Sequence, residues 1–354
     1  MTNSPPPVEV MQRDPAAVME HLRGRYVRTD SDETLRKAFD PLFRRNESGA
    51  VIPEPMLFGI DQETRGIIVT GATGAGKSTL LKRLLSEHPA FPGFGVKGAE
   101  CRILSVKVPS PATLKSLGLE ILKATGWNTR TNRPEWAIWN DVHHRLIALG
   151  ITVLHLDEAQ NVGLNRSTDA IKQICANWTS LLQQPNPIVL ILSGVEELLD
   201  LTRTDGQTFR RFRKIHLGPI SAAADAKRMS KIVSDYAKLA GIVPPSEEGD
   251  LIARLIHAAQ SQFGVAIEIA IDAIEQALFD EQTLSDEQAL PPGDTQLSVS
   301  HFAAAYARRE GCEIKDNVFL ARNWASIRVN ASHNGGEGKP EASASRSNNK
   351  KKSQ

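Results

Sequence analysis

Cysteine is scarce in this sequence. Three residues, Cys101, Cys175 and Cys312, stand far apart along 354 positions. Their odd number and wide spacing exclude a disulfide framework and any knuckle-type metal spacing, and they point to reduced thiols in a cytoplasmic protein. A surplus of one sign of charge is missing as well, because 42 Lys and Arg balance 41 Asp and Glu for a formal charge of +1. No global basic field therefore draws in nucleic acid; such binding needs a local patch or a surface assembled from several subunits. Long apolar runs are absent too, and none reaches the roughly 20 residues that cross a bilayer. The opening MTNSPPPVEVMQRDP has no apolar core of the secretory kind. There are no internal repeats. With 41% hydrophobic and 23% charged residues, the composition is that of a soluble, cytoplasmic protein with no membrane partner. Its length suffices for roughly two domains.

What is present is a strand-helix alternation in the centre. Short β-branched runs at 66–70, 102–108, 151–157, 187–193 and 214–220 read as strands. Helical patterns fill 77–88, 111–125, 134–149, 164–184 and 195–212 between them. The third and fourth strands are nearly all apolar, as strands buried on both faces of a parallel sheet must be. The expected core is thus an α/β domain over 61–220 with a doubly wound five-stranded parallel sheet and helices on both faces. After residue 220 the strands stop. Four helical patterns at 223–241, 246–260, 263–280 and 298–310 make a small all-helical domain over 221–330. Before the sheet, 15–60 reads as a helical arm, with Leu35, Phe39 and Leu42 on one face of DETLRKAFDPLF. Residues 1–14 and the basic tail 331–354 have the composition of disordered segments.

The chemistry concentrates in GIIVTGATGAGKSTLLKRLL, residues 66–85. Residues 71–78 match the phosphate-cradle pattern G-x-x-x-x-G-K-[ST] at every fixed position. Its glycines let successive N–H groups curl around an anion, and the following helix adds its positive end. Gly71, Ala72, Thr73, Gly74, Ala75, Gly76, Lys77, Ser78 and Thr79 are the candidate nucleotide-binding residues. Lys77 would reach the β- and γ-phosphates and Ser78 would give its hydroxyl to Mg²⁺. The implied cofactors are ATP and Mg²⁺.

Further along, ITVLHLDEAQNV ends an apolar strand in two carboxylates. Ligands of open α/β sheets sit at the carboxyl ends of the strands, where this pair emerges. Asp157 is the candidate for holding Mg²⁺ and Glu158 for activating the attacking water. The plainer alternative is an acidic helix start that favours the helix dipole. On the next strand, Ser193 would meet the γ-phosphate or the water, or else begins a Ser-Gly turn. In DGQTFRRFRKIHL, Arg210, Arg211 and Arg213 crowd a helix end, either as dipole partners or as a finger completing a neighbouring subunit's site.

A P-loop (Walker A), a strand ending in Asp-Glu (Walker B), a polar tip on the next strand, Arg-Phe before the last strand and a helical lid resemble the AAA+ ATPases. Within them, DEAQNV, RRF and the arm YVRTDSDETLRKAFDPLF look like the TniB/TnsC transposition regulators over about residues 20–310. The resemblance implies an AAA+ sheet followed by a lid, with Gly71 to Thr79 on the nucleotide and Asp157 serving Mg²⁺. It places Glu158 in hydrolysis, Ser193 at sensor 1 and Arg211 at the finger. It implies an ATPase that forms a ring or helical filament on double-stranded DNA and links a target-selector protein to a transposase. Lys107, Lys115, Arg130 and Arg133 would then face a basic lumen, or else form an ordinary solvated face. The lid departs from the common pattern: Ile267 stands where many AAA+ lids carry an arginine, so that Arg254 or another residue must substitute or the contact is lost. Another AAA+ branch, Orc-like or signalling, acting as an ATP-gated DNA or protein scaffold, is the alternative reading. A DEAx-box helicase is disfavoured because no second sheet follows residue 220, and a small-molecule kinase because of the Asp-Glu pair and the arginine box.

Overall fold

The computed structural model describes residues 14–127, 131–183, 185–246, 249–288 and 295–329, with side chains of 282–288 outside that description. Most of 1–14, all of 331–354 and Arg130 lie outside the described residues. Helix α1 (Pro15–Gly24) starts where the Asp14 carboxylate accepts from the Ala16 N–H at 3.0 Å, with Pro15 in the first turn where no N–H is needed. Helix α2 (Asp30–Phe39) starts in a capping box between Thr29 and Asp32. Asp32 also accepts from the Tyr26 hydroxyl at 2.7 Å. Burial and that carboxylate push the phenol far above its ordinary pKa.

The two arm helices bury different faces. Val18, Met19 and Leu22 of α1 enter the core of the C-terminal helices. Leu35 and Phe39 of α2 pack on the sheet with Ile67, Val69 and Leu81. An antiparallel ribbon follows, β1 (Phe43–Arg45) and β2 (Val51–Pro55), where the sequence pattern led us to expect helix. Strands of three and five residues are too short to leave a period-2 signature.

The sheet is built from β3 (Gly66–Gly71), β4 (Ile103–Lys107), β5 (Val153–Asp157), β6 (Val189–Gly194) and β7 (Phe212–Leu217), in the spatial order β4-β5-β6-β3-β7. All neighbours are parallel. The crossovers are α3 (Lys77–Glu87), α4 (Leu114–Ala124), α5 (Glu135–Ala148), α6 (Thr168–Leu181), α7 (Glu197–Arg203) and α8 (Gly206–Arg211). Ile68, Leu154, Leu156, Leu190 and Leu192 pack on α4 to α7, while Ile67, Val69, Val153, Val189 and Ile191 pack on α2 and α3. The period of two sends alternate residues of each strand to opposite cores.

Two expectations shift. The helix read over 195–212 is broken after Arg203, because the Asp205 carboxylate accepts from the Thr208 N–H at 2.9 Å and starts α8 afresh. The fifth strand begins at Phe212, two residues before the reading, and stops short of Pro219, which has no N–H for a ladder. Phe212 pairs with Gly66, where a Cβ would sit 2.3 Å from the phenyl ring.

Helices α9 (Ala222–Leu239), α10 (Leu251–Ala258), α11 (Phe263–Gln288) and α12 (Val299–Glu310) follow the sheet and share the core that α1 completes. α11 runs beyond the expected end at 280. Among the described residues, no helix is long and apolar enough to cross a membrane.

Candidate active site

β3 is buried along its whole length and delivers Gly71 to the mouth of the sheet. A Cβ on Gly71 would lie 2.7 Å from the Leu217 carbonyl, so the close turn beside β7 needs glycine. Gly76 has φ +94° and opens α3, a backbone that an L side chain rarely adopts. The free N–H groups of the first turn of α3 thereby face the loop. Lys77 is buried and its Nζ donates to the carbonyls of Gly71 at 2.8 Å and Ala72 at 3.0 Å. Burial lowers its pKa, while the charges of Glu158 and Asp157 work the other way. A curled loop with a buried ammonium held only by carbonyls fits a phosphate chain, which would give that ammonium a full counter-charge.

Asp157 is the hub of the site. Its Oδ2 accepts from the Ser78 hydroxyl at 3.0 Å. Its Oδ1 accepts from the Ser193 hydroxyl at 2.6 Å and from the Glu158 N–H at 3.1 Å. The sheet order makes this possible, because β6 lies between β5 and β3 and pairs Ser193 with Val69. Ser193 is completely buried. A hydroxyl and one carboxylate are a fitting donor set for Mg²⁺, which prefers hard oxygen ligands and keeps the rest of its shell for water and phosphate. Among the described residues, no cluster of three or more His, Cys, Asp or Glu is arranged to hold a metal by itself.

Glu158 sits next to this hub with φ +57° and ψ +40°, the left-handed region that a residue with a Cβ enters at a cost. The Gln160 amide donates to its carboxylate at 2.7 Å. Sequence reasoning did not single out Gln160. The only signal for it was its place two residues after the acid.

The C-terminal helices touch the loop directly. The Gly264 N–H donates to the Gly74 carbonyl at 3.0 Å, and a Cβ on Gly264 would stand 2.5 Å from that oxygen. Beside it, Tyr26, Val27, Ala75, Gly76, Leu80, Arg228 and Phe263 line a cavity between arm, loop and lid. Arg254, considered as a substitute for the missing lid arginine, is engaged elsewhere. It pairs with Asp250 at 2.7 Å and donates to the carbonyls of Val318 and Ala321, both at 2.8 Å. Arg228, on α9, lines this cavity together with Ala75 and Gly76 of the loop.

A family model described as "Bacterial TniB protein" matches residues 56–221, the stretch that carries the loop, Asp157, Glu158 and Ser193. Over this stretch the chain is similar to that family. More than four-fifths of the chain also resembles solved structures at low identity. The Cdc6p of Pyrobaculum aerophilum superposes with a TM-score of 0.52 at 15% identity, over 85% of this chain and 76% of that one. The ORC2 protein of Aeropyrum pernix, solved as ADPNP-ADP complexes, gives 0.51 at 17%, over 82% and 69%. The ORC1 protein of A. pernix in complex with DNA gives 0.51 at 15%, over 86% and 72%. At these identities the likeness is one of fold: a five-stranded parallel sheet followed by helices. No curated protein sequence matches the chain.

The arginines at the edge of the sheet domain differ in what holds them. Arg211 is clamped by Glu63, Nε to Oε2 at 2.7 Å and Nη2 to Oε1 at 2.8 Å. That bidentate pair holds the Glu63 carboxyl below its usual pKa. Arg213 donates to the Ala38 carbonyl at 3.0 Å. Arg210 is exposed, on the rim of a groove that also includes Phe58, Asp61 and Glu63. Of the residues expected to meet DNA, Lys107 is exposed at the end of β4, Lys115 is half-buried on α4, and Arg133 is paired with Asp141.

Proposed function

We propose that this protein binds ATP with Mg²⁺ and hydrolyses it, and that it uses the nucleotide to control an assembly on double-stranded DNA that regulates transposition. The observation that carries the reading is the cluster of Ser78, Asp157 and Ser193 at the mouth of the phosphate loop, with Glu158 beside it. Gly71 to Thr79 hold the triphosphate through backbone N–H groups, with Lys77 on its outer phosphates. Ser78 and Asp157 hold Mg²⁺, which supplies neutralisation of phosphate charge when bound. Glu158 takes a proton from water, and the Gln160 amide fixes the carboxylate that does so. Phosphoryl transfer of this kind is mostly positioning plus electrostatics, and these residues supply both. The cavity lined by Tyr26, Arg228 and Phe263 takes the rest of the nucleotide, which ties arm and lid to its presence.

Arg211 is the proposed finger toward the nucleotide of a neighbouring copy in a ring or helical filament. Reaching it requires Glu63 to let go, so assembly and activity are coupled through that one ion pair. DNA association is supported by the TniB match and by the fold shared with an ORC1 protein solved on DNA. Lys107 and Lys115 are the basic side chains offered to phosphates; Arg133 joins them only by leaving Asp141. A transposase and a target-selecting protein are the proposed protein partners, and the cytoplasm the proposed location. The test is ATP hydrolysis by the purified protein with and without duplex DNA, across protein concentration. Activity that rises more steeply than linearly and is raised by DNA supports the reading. Hydrolysis at the same specific rate in a strict monomer, with no duplex binding at low salt, overturns it.

A further inference from the structure

His155 stands two residues before Asp157, so both side chains lie on the same face of β5. The neighbouring strands bring Ser105 of β4 opposite His155, and Ser193 of β6 two residues beyond its other partner, Ile191. A polar line results across a face otherwise made of Ile103, Val153, Val189 and Ile191. Ser105 Oγ lies 2.8 Å from His155 Nδ1, His155 Nε2 lies 2.9 Å from Ser193 Oγ, and Ser193 Oγ lies 2.6 Å from Asp157 Oδ1.

The direction of every bond in this line follows from its end. An aspartate carboxylate only accepts, so the single proton of Ser193 points at Asp157. The Ser193 oxygen is then left with lone pairs toward the ring, and Nε2 must carry the imidazole proton. Nδ1 is bare and accepts from Ser105. The reverse arrangement places two unprotonated oxygens 2.6 Å apart and is excluded. A buried imidazole in an aliphatic face costs stability that a leucine would not, unless its hydrogen bonds do something a leucine cannot.

We infer that His155 is a positioning residue that locks the Ser193 hydroxyl onto Asp157 and thereby holds the carboxylate that faces Ser78. This rests on the ATPase reading for its consequence and on the hydrogen-bond geometry alone for its structural part. Ser193 then keeps its proton on Asp157 and offers only a lone pair to its surroundings, so that of the two contacts considered for it, the γ-phosphate or the water, only the water can donate to it.

Two measurements test it. Nitrogen NMR of imidazole-labelled protein without nucleotide, with the His155 signal assigned by its loss in His155→Gln, reads the tautomer. A single Nε2–H form supports the inference; an Nδ1–H form, or exchange between the two, overturns it. In kinetics, His155→Leu is expected to lower kcat by about tenfold with KM for ATP changed less than twofold, the scale of one charge-linked hydrogen bond. In a Ser193→Ala background the same change should cost less than twofold, because its route to Asp157 is already gone. His155→Gln, whose amide reaches as far as Nε2, should restore most of the rate. Equal losses in both backgrounds, or a gain in KM alone, overturn the positioning role. Were the wild-type protein to hydrolyse no ATP, the functional reading would fall, and the tautomer would still decide the geometry.

Discussion

The phosphate-loop end of the sheet and its arginine edge, both within one domain, are in opposite conditions. At the loop, Ser78, Asp157, Ser193 and Glu158 already touch one another within a single chain. At the edge, Arg211 and Arg213 are tied to Glu63 and Ala38 of their own chain, and only Arg210 stands exposed. A site that must bind nucleotide in every copy can be preorganised by its own sheet. If Arg211 serves a neighbouring copy, as proposed, it has nothing there to hold while that copy is absent, and Glu63 holds it instead. On that reading, a folded single chain would have its binding chemistry in place and its reaction still incomplete.

Breaking the loop end should have the largest effect. Lys77→Ala removes the buried cation that the phosphates would pair with, and ATP binding by calorimetry should disappear; affinity within twofold of wild type would refute the site. The edge comes next. Arg211→Ala should bind ATP normally and lose hydrolysis by roughly 10³-fold or more, as for arginines acting in trans. Mixing it with Lys77→Ala should recover part of the rate, since each variant lacks a different half of a shared site. A larger loss in Arg210→Ala would move the finger to the exposed residue. Glu158→Gln keeps the shape of the loop end and removes its base, and steady-state turnover should slow by roughly 10²-fold or more with ATP still bound.

The smallest effect concerns stability. Burial brings His155 from its ordinary 6.5 down to about 4, against the raising influence of Asp157. The unfolded chain therefore takes up a proton that the folded one refuses between these values. The contribution of this group to stability is complete above about pH 6.5 and is lost as pH falls toward 4. Read from urea midpoints, the stability of His155→Leu relative to wild type should rise as pH falls through that window. A constant difference between them would show that the ring is not neutral in the fold.

Local pattern was enough for some of this. The loop from Gly71 to Thr79, the Asp157-Glu158 pair and the five parallel strands were legible because each depends on neighbours in sequence: glycines at a turn, apolar runs, a lysine opening a helix. The break between α7 and α8 was missed because Asp205 looks like any helical polar residue until its carboxylate turns onto Thr208. The β1-β2 ribbon was missed because its strands are too short to show a period. Arg254, one of the residues weighed in place of the lid arginine, shows another limit: sequence shows that an arginine exists, not that Asp250 and two carbonyls hold it.

By itself, then, the sequence determined where the chain can curl around an anion and which strands must be buried, since steric freedom and hydrophobic burial act over a few residues. Only the tertiary structure decided that Ser193 gives its proton to Asp157, that Arg211 is held by Glu63 across 148 positions, and that Gly264 presses on Gly74. Hydrogen bonds and ion pairs are short-ranged in space and indifferent to distance along the chain. Their partners are fixed by the order β4-β5-β6-β3-β7 and the docking of the lid, which no local stretch of residues encodes.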